Sequence, residues 1–295
     1  MHQSVLISES IRELVGNKEG TYIDGTFGGG GHSIALLNSL GSKSKLIALD
    51  WDSHASPPLP KDIRFSNFHC NFSLLDLLLK REKLGAASVD GILLDLGFSN
   101  SQLVGSEANG LSFWNDGFLR SQTGNHPKTA ASWFEKATPK AIRQSLKLLG
   151  NEKHVGLLMR NLDATPNAKI RTRQFVSTIL QTKASKKQNI MRHPATKTFR
   201  TVRMVVNDEA ENLRGLLVKA SDHLKLNGKL VIITFNSVED RVVRSSLKKD
   251  EGCTIRMVRK VFPSELEKQN NHQARSAKAF VLKKAEGLVS QKAQT

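Results

Sequence analysis

The 295-residue sequence predicts an α/β fold: one mostly parallel, Rossmann-like sheet of seven strands, interrupted by an inserted helical domain. Three observations lead there. Short apolar runs alternate with helical or loop-like segments over the first hundred or so residues. Strand-like runs then stop from about Val104 to Arg200, where helical periodicity takes over, and they return afterwards. The expected boundaries are 1–103 for the first part of the sheet domain, 104–200 for the insertion and 201–295 for the second part.

Gly20 to Asp24 reads as a short buried strand and Ser33 to Leu40 as the first turns of a helix, with a glycine-rich run between them. Lys45 to Leu49 is the second strand and ends in Asp50. The segment Ser56-Pro57-Pro58-Leu59-Pro60 breaks the chain where a crossover helix would follow, so that crossover is expected to be shortened. Asp62 to His69 reads as the third strand. Val89 to Gly97 reads as the fourth, apolar on both faces. Within the insertion, Pro139 to Leu149, His154 to Leu162 and Thr172 to Lys183 carry helical spacing. A long amphipathic stretch from Val202 to Leu226 and the turn Asn227-Gly228 lead into a fifth strand, Lys229 to Phe235. Thr254 to Val258 and Ala277 to Leu282 are expected to close the sheet, and the polar tail after Lys284 to fray.

Composition narrows the function classes. With 39% apolar residues the chain can bury a full core, and 44 Lys and Arg against 27 acids give a net charge of +17, which points to a polyanionic partner such as nucleic acid. Two cysteines, Cys70 and Cys253, are too few for a disulfide framework or a zinc cluster, and a reducing compartment is expected. No run approaches the roughly 20 apolar residues of a membrane span. Neither a secretory signal nor an Arg-rich transit segment is visible at the start. His193 has no Cys or His at metal-ligand spacing, so no metal is expected.

The run Asp24-Gly25-Thr26-Phe27-Gly28-Gly29-Gly30-Gly31-His32-Ser33 sits on a strand-to-helix turn. Glycines there permit positive φ and let backbone N–H groups approach a ligand, while the helix N-terminus favours a negative group. Asp50, at the end of the next strand, is placed to accept from a ribose diol. A mobile linker and a nicotinamide or flavin enzyme are the competing readings. Starting at Gly28, the dinucleotide pattern asks for a third glycine where Ser33 stands, which favours S-adenosylmethionine, a cofactor with a carboxylate and no pyrophosphate. Ligands of open α/β sheets bind at the carboxyl ends of the strands, so Gly28 to His32, Asp50, Phe72 and Asp95 are expected to converge. Phe72 either stacks on adenine or packs in the core. Asp95, ending an apolar run, meets either a ligand or a loop donor.

Those motifs, with His193-Pro194-Ala195-Thr196-Lys197-Thr198-Phe199, Val206-Asn207-Asp208-Glu209, Ser237-Val238-Glu239-Asp240-Arg241 and Ala274-Arg275-Ser276-Ala277-Lys278, resemble the RsmH (MraW) family in order and over nearly the whole chain. The resemblance implies a class I S-adenosylmethionine-dependent methyltransferase acting on N4 of a cytidine in small-subunit ribosomal RNA, or the equivalent enzyme of the mitochondrial branch. It implies cofactor contacts at Gly30, Gly31, His32, Asp50, Phe72, Asp95 and Gln102. Its partner would be small-subunit RNA or the assembling small subunit, in the bacterial cytoplasm or the mitochondrial matrix.

Three segments depart from the family pattern. After Asp116-Gly117 the family carries Pro-Leu-Asp-Met-Arg-Met-Asp, whereas this chain reads Phe118-Leu119-Arg120-Ser121-Gln122-Thr123-Gly124 and lacks both acids. The family's Ser-Phe-His-Ser is Thr234-Phe235-Asn236-Ser237, and its Asn-Pro-Arg-Ala-Arg-Ser is Asn271-His272-Gln273-Ala274-Arg275-Ser276. These departures keep open a second reading, an RNA-binding assembly factor that retains the cofactor fold.

Methyl transfer to an exocyclic amine needs alignment and acceptors for the amine protons. Asp95 is the first candidate acceptor, and Asn236 the second through its side-chain oxygen. The target cytidine has to be single-stranded or turned out of a duplex. For the RNA grip the sequence offers a basic run in the insertion. Arg171, Arg173, Lys183, Lys186, Lys187, Arg192, His193, Lys197, Arg200 and Arg203 follow one another without an intervening acid. Lys186, Lys187, Arg192, Lys197, Arg200 and Arg203 are the expected phosphate contacts. Trp114 and Trp133 are expected to pack the insertion.

Overall fold

The computed structural model describes residues 4–52, 59–97, 111–112, 116–123, 126–163, 171–183, 193–249 and 254–286. The chain divides into two compact units, Met1–Gly97 with Glu211–Thr295, and Phe98–Ala210.

The first unit is built on a seven-stranded sheet. In chain order its elements are α1 (Ile7–Leu14), β1 (Thr21–Asp24), α2 (Gly31–Ser39), β2 (Lys45–Asp50), β3 (Phe65–His69), α3 (Leu75–Arg81) and β4 (Val89–Asp95). The strands run in the order β3-β2-β1-β4, continuing through β5 (Leu224–Thr234), β7 (Lys278–Lys284) and β6 (Ile255–Val261), and only β7 is antiparallel to its neighbours. The central strands are apolar on both faces. Leu46 to Leu49, Ile92 to Leu94 and Leu230 to Ile233 are fully buried, and each Leu, Ile or Val side chain among them contributes roughly 1.5–3 kcal/mol. Strand order reverses between β1 and β4, so a crevice opens at their carboxyl ends.

Several strand ends differ from the sequence expectation, among them those of the last two strands, which run Ile255–Val261 and Lys278–Lys284. The third strand begins at Phe65 rather than Asp62, because Asp62 accepts from the Arg64 backbone N–H and guanidinium and closes a turn there. The fourth ends at Asp95 and not Gly97, whose φ of 147° leaves the extended ladder. The fifth starts at Leu224, and its pairing with β4 shifts register between Val89 and Gly91. The helices α1, α3 and α10 (Ser237–Lys249) add to the elements expected above.

The second unit carries α4 (Ala130–Lys136), α5 (Pro139–Leu148), α6 (Val155–Asp163), α7 (Thr172–Lys183) and α8 (Thr196–Val206). Thr138 caps α5 by accepting from Ala141, with Pro139 at the first helical position. The core is a chain of aromatic contacts, Trp133 to Phe134, Phe134 to Phe175 and Phe175 to Phe199, at 4.7, 5.6 and 5.3 Å between ring centres. Phe199, Val202 and Val206 of α8 belong to this core, so the unit runs to Ala210, ten residues past the expected boundary. The stretch from Val202 to Leu226 is therefore not one helix. It breaks at Asn207-Asp208, where Asp208 takes φ 49°, and resumes as α9 (Glu209–His223).

Candidate active site

The site forms where β1, β2 and β4 end. The run after β1 is tied to both neighbours: Gly25 N–H donates to the Leu93 carbonyl at 2.9 Å and Phe27 N–H to the Leu49 carbonyl at 2.8 Å. Gly25 has to be glycine for space, since a Cβ there would lie 2.4 Å from Leu94 and 3.3 Å from Phe72. Gly30 has to be glycine for conformation; it precedes α2 with φ 77°. Among the described residues no side chain caps α2 and no acid sits in its first turn, so its amides are available to an anionic ligand.

Three carboxylates surround this turn. Asp24 is fully buried, accepting from Ser33 Oγ at 2.7 Å and from Thr26 N–H at 3.1 Å, and burial raises its pKa. It shapes the strand end. Asp50 accepts from Gly28 N–H at 2.6 Å and Asp52 N–H at 2.8 Å, so it holds the glycine turn as well as facing the crevice; burial again raises its pKa. Asp95 Oδ2 lies 3.5 Å from His32 Nδ1, whereas Oδ1 is buried and has no hydrogen-bond partner among the described residues. Burial is the main cause that pushes the Asp95 pKa up to about 6; the Asp24 charge adds to the rise and His32 opposes it.

His32 is 4% exposed, and its ring faces protein on both edges. Nε2 donates to the Val5 carbonyl at 3.0 Å, and Nδ1 faces Asp95. Both ring nitrogens are thus turned to protein, and the backbone N–H of His32 lies in the first turn of α2. Gly31 opens α2 with Ser4 beside it, and Leu6 N–H donates to Glu267 Oε1 at 2.8 Å, fixing the segment that carries Val5. Phe72, half-buried on a 3₁₀ turn started by the Asn71 side chain, places its Cβ against Gly25. Gly30, Gly31, His32, Asp50, Phe72 and Asp95 are thus connected. Gln102 lies outside the described residues.

Asn236 is placed differently from the sequence expectation. Its side-chain oxygen accepts from Val238 N–H at 3.0 Å and Glu239 N–H at 3.1 Å, and its amide nitrogen donates to Glu239 Oε1. Glu239 also accepts from Phe235 N–H at 2.8 Å. This is a helix cap for α10, worth about 1 kcal/mol, and it commits both ends of the amide. Asp240 accepts from Thr234 Oγ1 at 2.7 Å and from Lys278 Nζ at 2.6 Å, which locks the end of β5 to the start of β7.

In the second unit Asn207 anchors the segment that departs from the family pattern: its oxygen accepts from Thr123 N–H at 2.7 Å and its nitrogen donates to the Ser121 carbonyl at 2.9 Å. Among the expected phosphate contacts, Lys197 is exposed and Arg200 half-buried. Arg203 is turned inward, 17% exposed, with Nε 3.4 Å from Glu209 Oε1. Arg173 is 84% exposed, while Arg171 pairs with Asp116 at 3.0 Å. Trp133 packs the insertion as expected. Lys186, Lys187, Arg192 and Trp114 lie outside the described residues. Sequence reading missed Thr26, whose hydroxyl accepts from Asp95 N–H at 2.7 Å, and Val5; no local pattern marks either.

A seven-stranded sheet with one reversed strand, a glycine turn after the first strand and carboxylates ending the second and fourth define a class I methyltransferase. The chain belongs to the MraW methylase family, whose model matches residues 1–285. It is 38% identical over 254 residues to ribosomal RNA small subunit methyltransferase H of Idiomarina loihiensis, covering 84% of this chain and 79% of that protein. It is 36% identical over 301 aligned positions to the protein of the same name from Hydrogenovibrio crunogenus, covering 94% of each. The cofactor is S-adenosylmethionine, and the uncapped start of α2 and the carboxylate of Asp50 suit it.

Proposed function

We propose that this chain transfers a methyl group from S-adenosylmethionine to N4 of a cytidine in small-subunit ribosomal RNA. The observation that carries the reading is the buried, unpartnered Asp95 Oδ1 at the carboxyl end of β4, beside the glycine turn and at the switch in strand order. An acceptor left unpaired there costs stability, and an amine proton would satisfy it. The names of the two bacterial relatives support small-subunit RNA as substrate. The bacterial origin of both relatives supports the cytoplasmic alternative.

When bound, S-adenosylmethionine supplies an electrophilic methyl group on sulfonium and leaves as a neutral thioether. The start of α2, at Gly30, Gly31 and His32, would take its carboxylate on backbone N–H groups. Asp50 would accept from the ribose hydroxyls while holding Gly28. Phe72 would pack on the adenine, with Gln102 as the remaining contact. Asp95 would orient the target amine through its free oxygen. Asn236 would serve indirectly, by fixing the start of α10. Lys197, Arg200 and the sequence around Lys186, Lys187 and Arg192 would grip phosphates, whereas Arg203 would steady Glu209. We do not assign a metal.

The test is a mass-spectrometric comparison of small-subunit RNA with and without this protein. An N4-methylcytidine that appears only with the intact protein is the expected result. Cofactor binding without transfer to RNA or to small subunits would favour the assembly-factor reading, which rests on the two acids missing between Phe118 and Gly124.

A further inference from the structure

We propose that His32 and Asp95 act as a proton-accepting pair, with Asp95 touching the target amine and His32 a positioning residue that shares the proton from behind. The inference rests on the proposed amine substrate. Four observations converge on it. His32 Nε2 donates to the Val5 carbonyl, which can only accept, so the ring carries its hydrogen on Nε2 and turns the Nδ1 edge to Asp95. Nδ1 and Asp95 Oδ2 are 3.5 Å apart. Asp95 Oδ1 is the buried acceptor without a partner. The Asp95 backbone is fixed by Thr26, so the carboxylate is presented from a held strand end.

The chemistry balances without a further reactant. The N4 lone pair forms the bond to the methyl carbon as the carbon–sulfur bond breaks, its electron pair going to sulfur. The N4–H bond then breaks, its pair returns to nitrogen and the proton passes to Asp95. From there it is held between Asp95 and His32 Nδ1 until water takes it. Among the described residues, one further charged group acts on Asp95 directly. Asp24 faces both from the end of β1 and favours protonation of the pair; Asp50 faces Asp24 in turn. An aspartate already raised toward neutrality by burial is suited to holding a proton near working pH.

His32→Gln and His32→Asn separate the roles. The Gln amide reaches where Nε2 stands and keeps a donor for the Val5 carbonyl while removing Nδ1; Asn does the reverse. For His32→Gln we expect near-unchanged binding of S-adenosylhomocysteine by calorimetry, turnover reduced about tenfold or more, and a displaced acid limb of the kcat profile. In the free protein, carbon-13 titration of the Asp95 carboxyl should show a displaced midpoint in His32→Gln, because Nδ1 no longer faces the carboxylate. Equal Asp95 midpoints in the two proteins overturn the pair, whatever the substrate. So does loss of cofactor binding that matches the loss of turnover with an unmoved acid limb. Failure of the unaltered protein to methylate cytidine would instead remove the substrate, and the carboxyl titration would still decide the pair.

Discussion

The backbone N–H of Asp95 donates to the hydroxyl of Thr26 at 2.7 Å, linking two residues 69 positions apart at the ends of the two strands where sheet order reverses. The bond aims the carboxylate without consuming it. Thr26→Val keeps shape and removes the acceptor, leaving the Asp95 N–H unpaired at a cost of about 1–3 kcal/mol. Turnover should fall more than S-adenosylhomocysteine affinity, and Thr26→Ser should restore both. Steady-state kinetics with calorimetry on the three proteins makes the check, and a Ser variant as impaired as Val would count against the bond.

Asp95 weakens the fold at the pH where it works. Below about pH 3 its carboxyl is protonated whether the chain is folded or not, so it contributes no difference. Its folded pKa lies near 6, so as pH rises from there through 6 the unfolded chain releases the proton first and stability falls. Above that the penalty is complete, on the order of 3 kcal/mol. Asp95→Asn should therefore be more stable than the unaltered protein at pH 8 and equal to it near pH 3, by urea unfolding. A constant difference across the range would mean that burial of this carboxylate is not the cause.

Asp50 joins two tasks, since its oxygens hold the N–H groups of Gly28 and Asp52. Asp50→Ala should weaken S-adenosylhomocysteine binding by about tenfold or more and lower stability by about 1–3 kcal/mol, with RNA affinity unchanged. Calorimetry and RNA filter binding at one salt concentration separate these effects. Equal loss of cofactor and RNA binding would mark Asp50 as purely structural.

The sheet and its cofactor edge were legible because their signals are local. Leu46 to Leu49 is apolar, short and followed by the carboxylate of Asp50, and the glycine run needs only its own neighbours to be read. What escaped depends on distant partners or on one unusual dihedral. Val5 and Thr26 look ordinary until His32 and Asp95 are folded against them. Asn236 is the exception: Glu239, three residues on, turns its amide into a cap, and that local Asn-x-x-Glu spacing was legible as a helix start. The helical rhythm from Val202 onward continues through Asp208, so its left-handed φ is invisible to periodicity.

Charge counting in the insertion likewise treats every cation alike, and the structure separates them. Lys197 is exposed on α8, whereas Arg203, on the same helix, is 17% exposed and lies against Glu209, a carboxylate whose pKa burial raises. Removing Lys197 costs the fold little, within about 0.5 kcal/mol, but should reduce the slope of log K for RNA against log salt by about 1. Removing Arg203 strips a partly buried acid of a partner and should cost about 2–4 kcal/mol of stability, with the slope unchanged wherever the protein stays folded. Urea unfolding and RNA binding at several salt concentrations on Lys197→Ala and Arg203→Ala provide the comparison. If Arg203→Ala flattens the slope and leaves stability intact, this arginine contacts phosphate and its pairing with Glu209 is incidental.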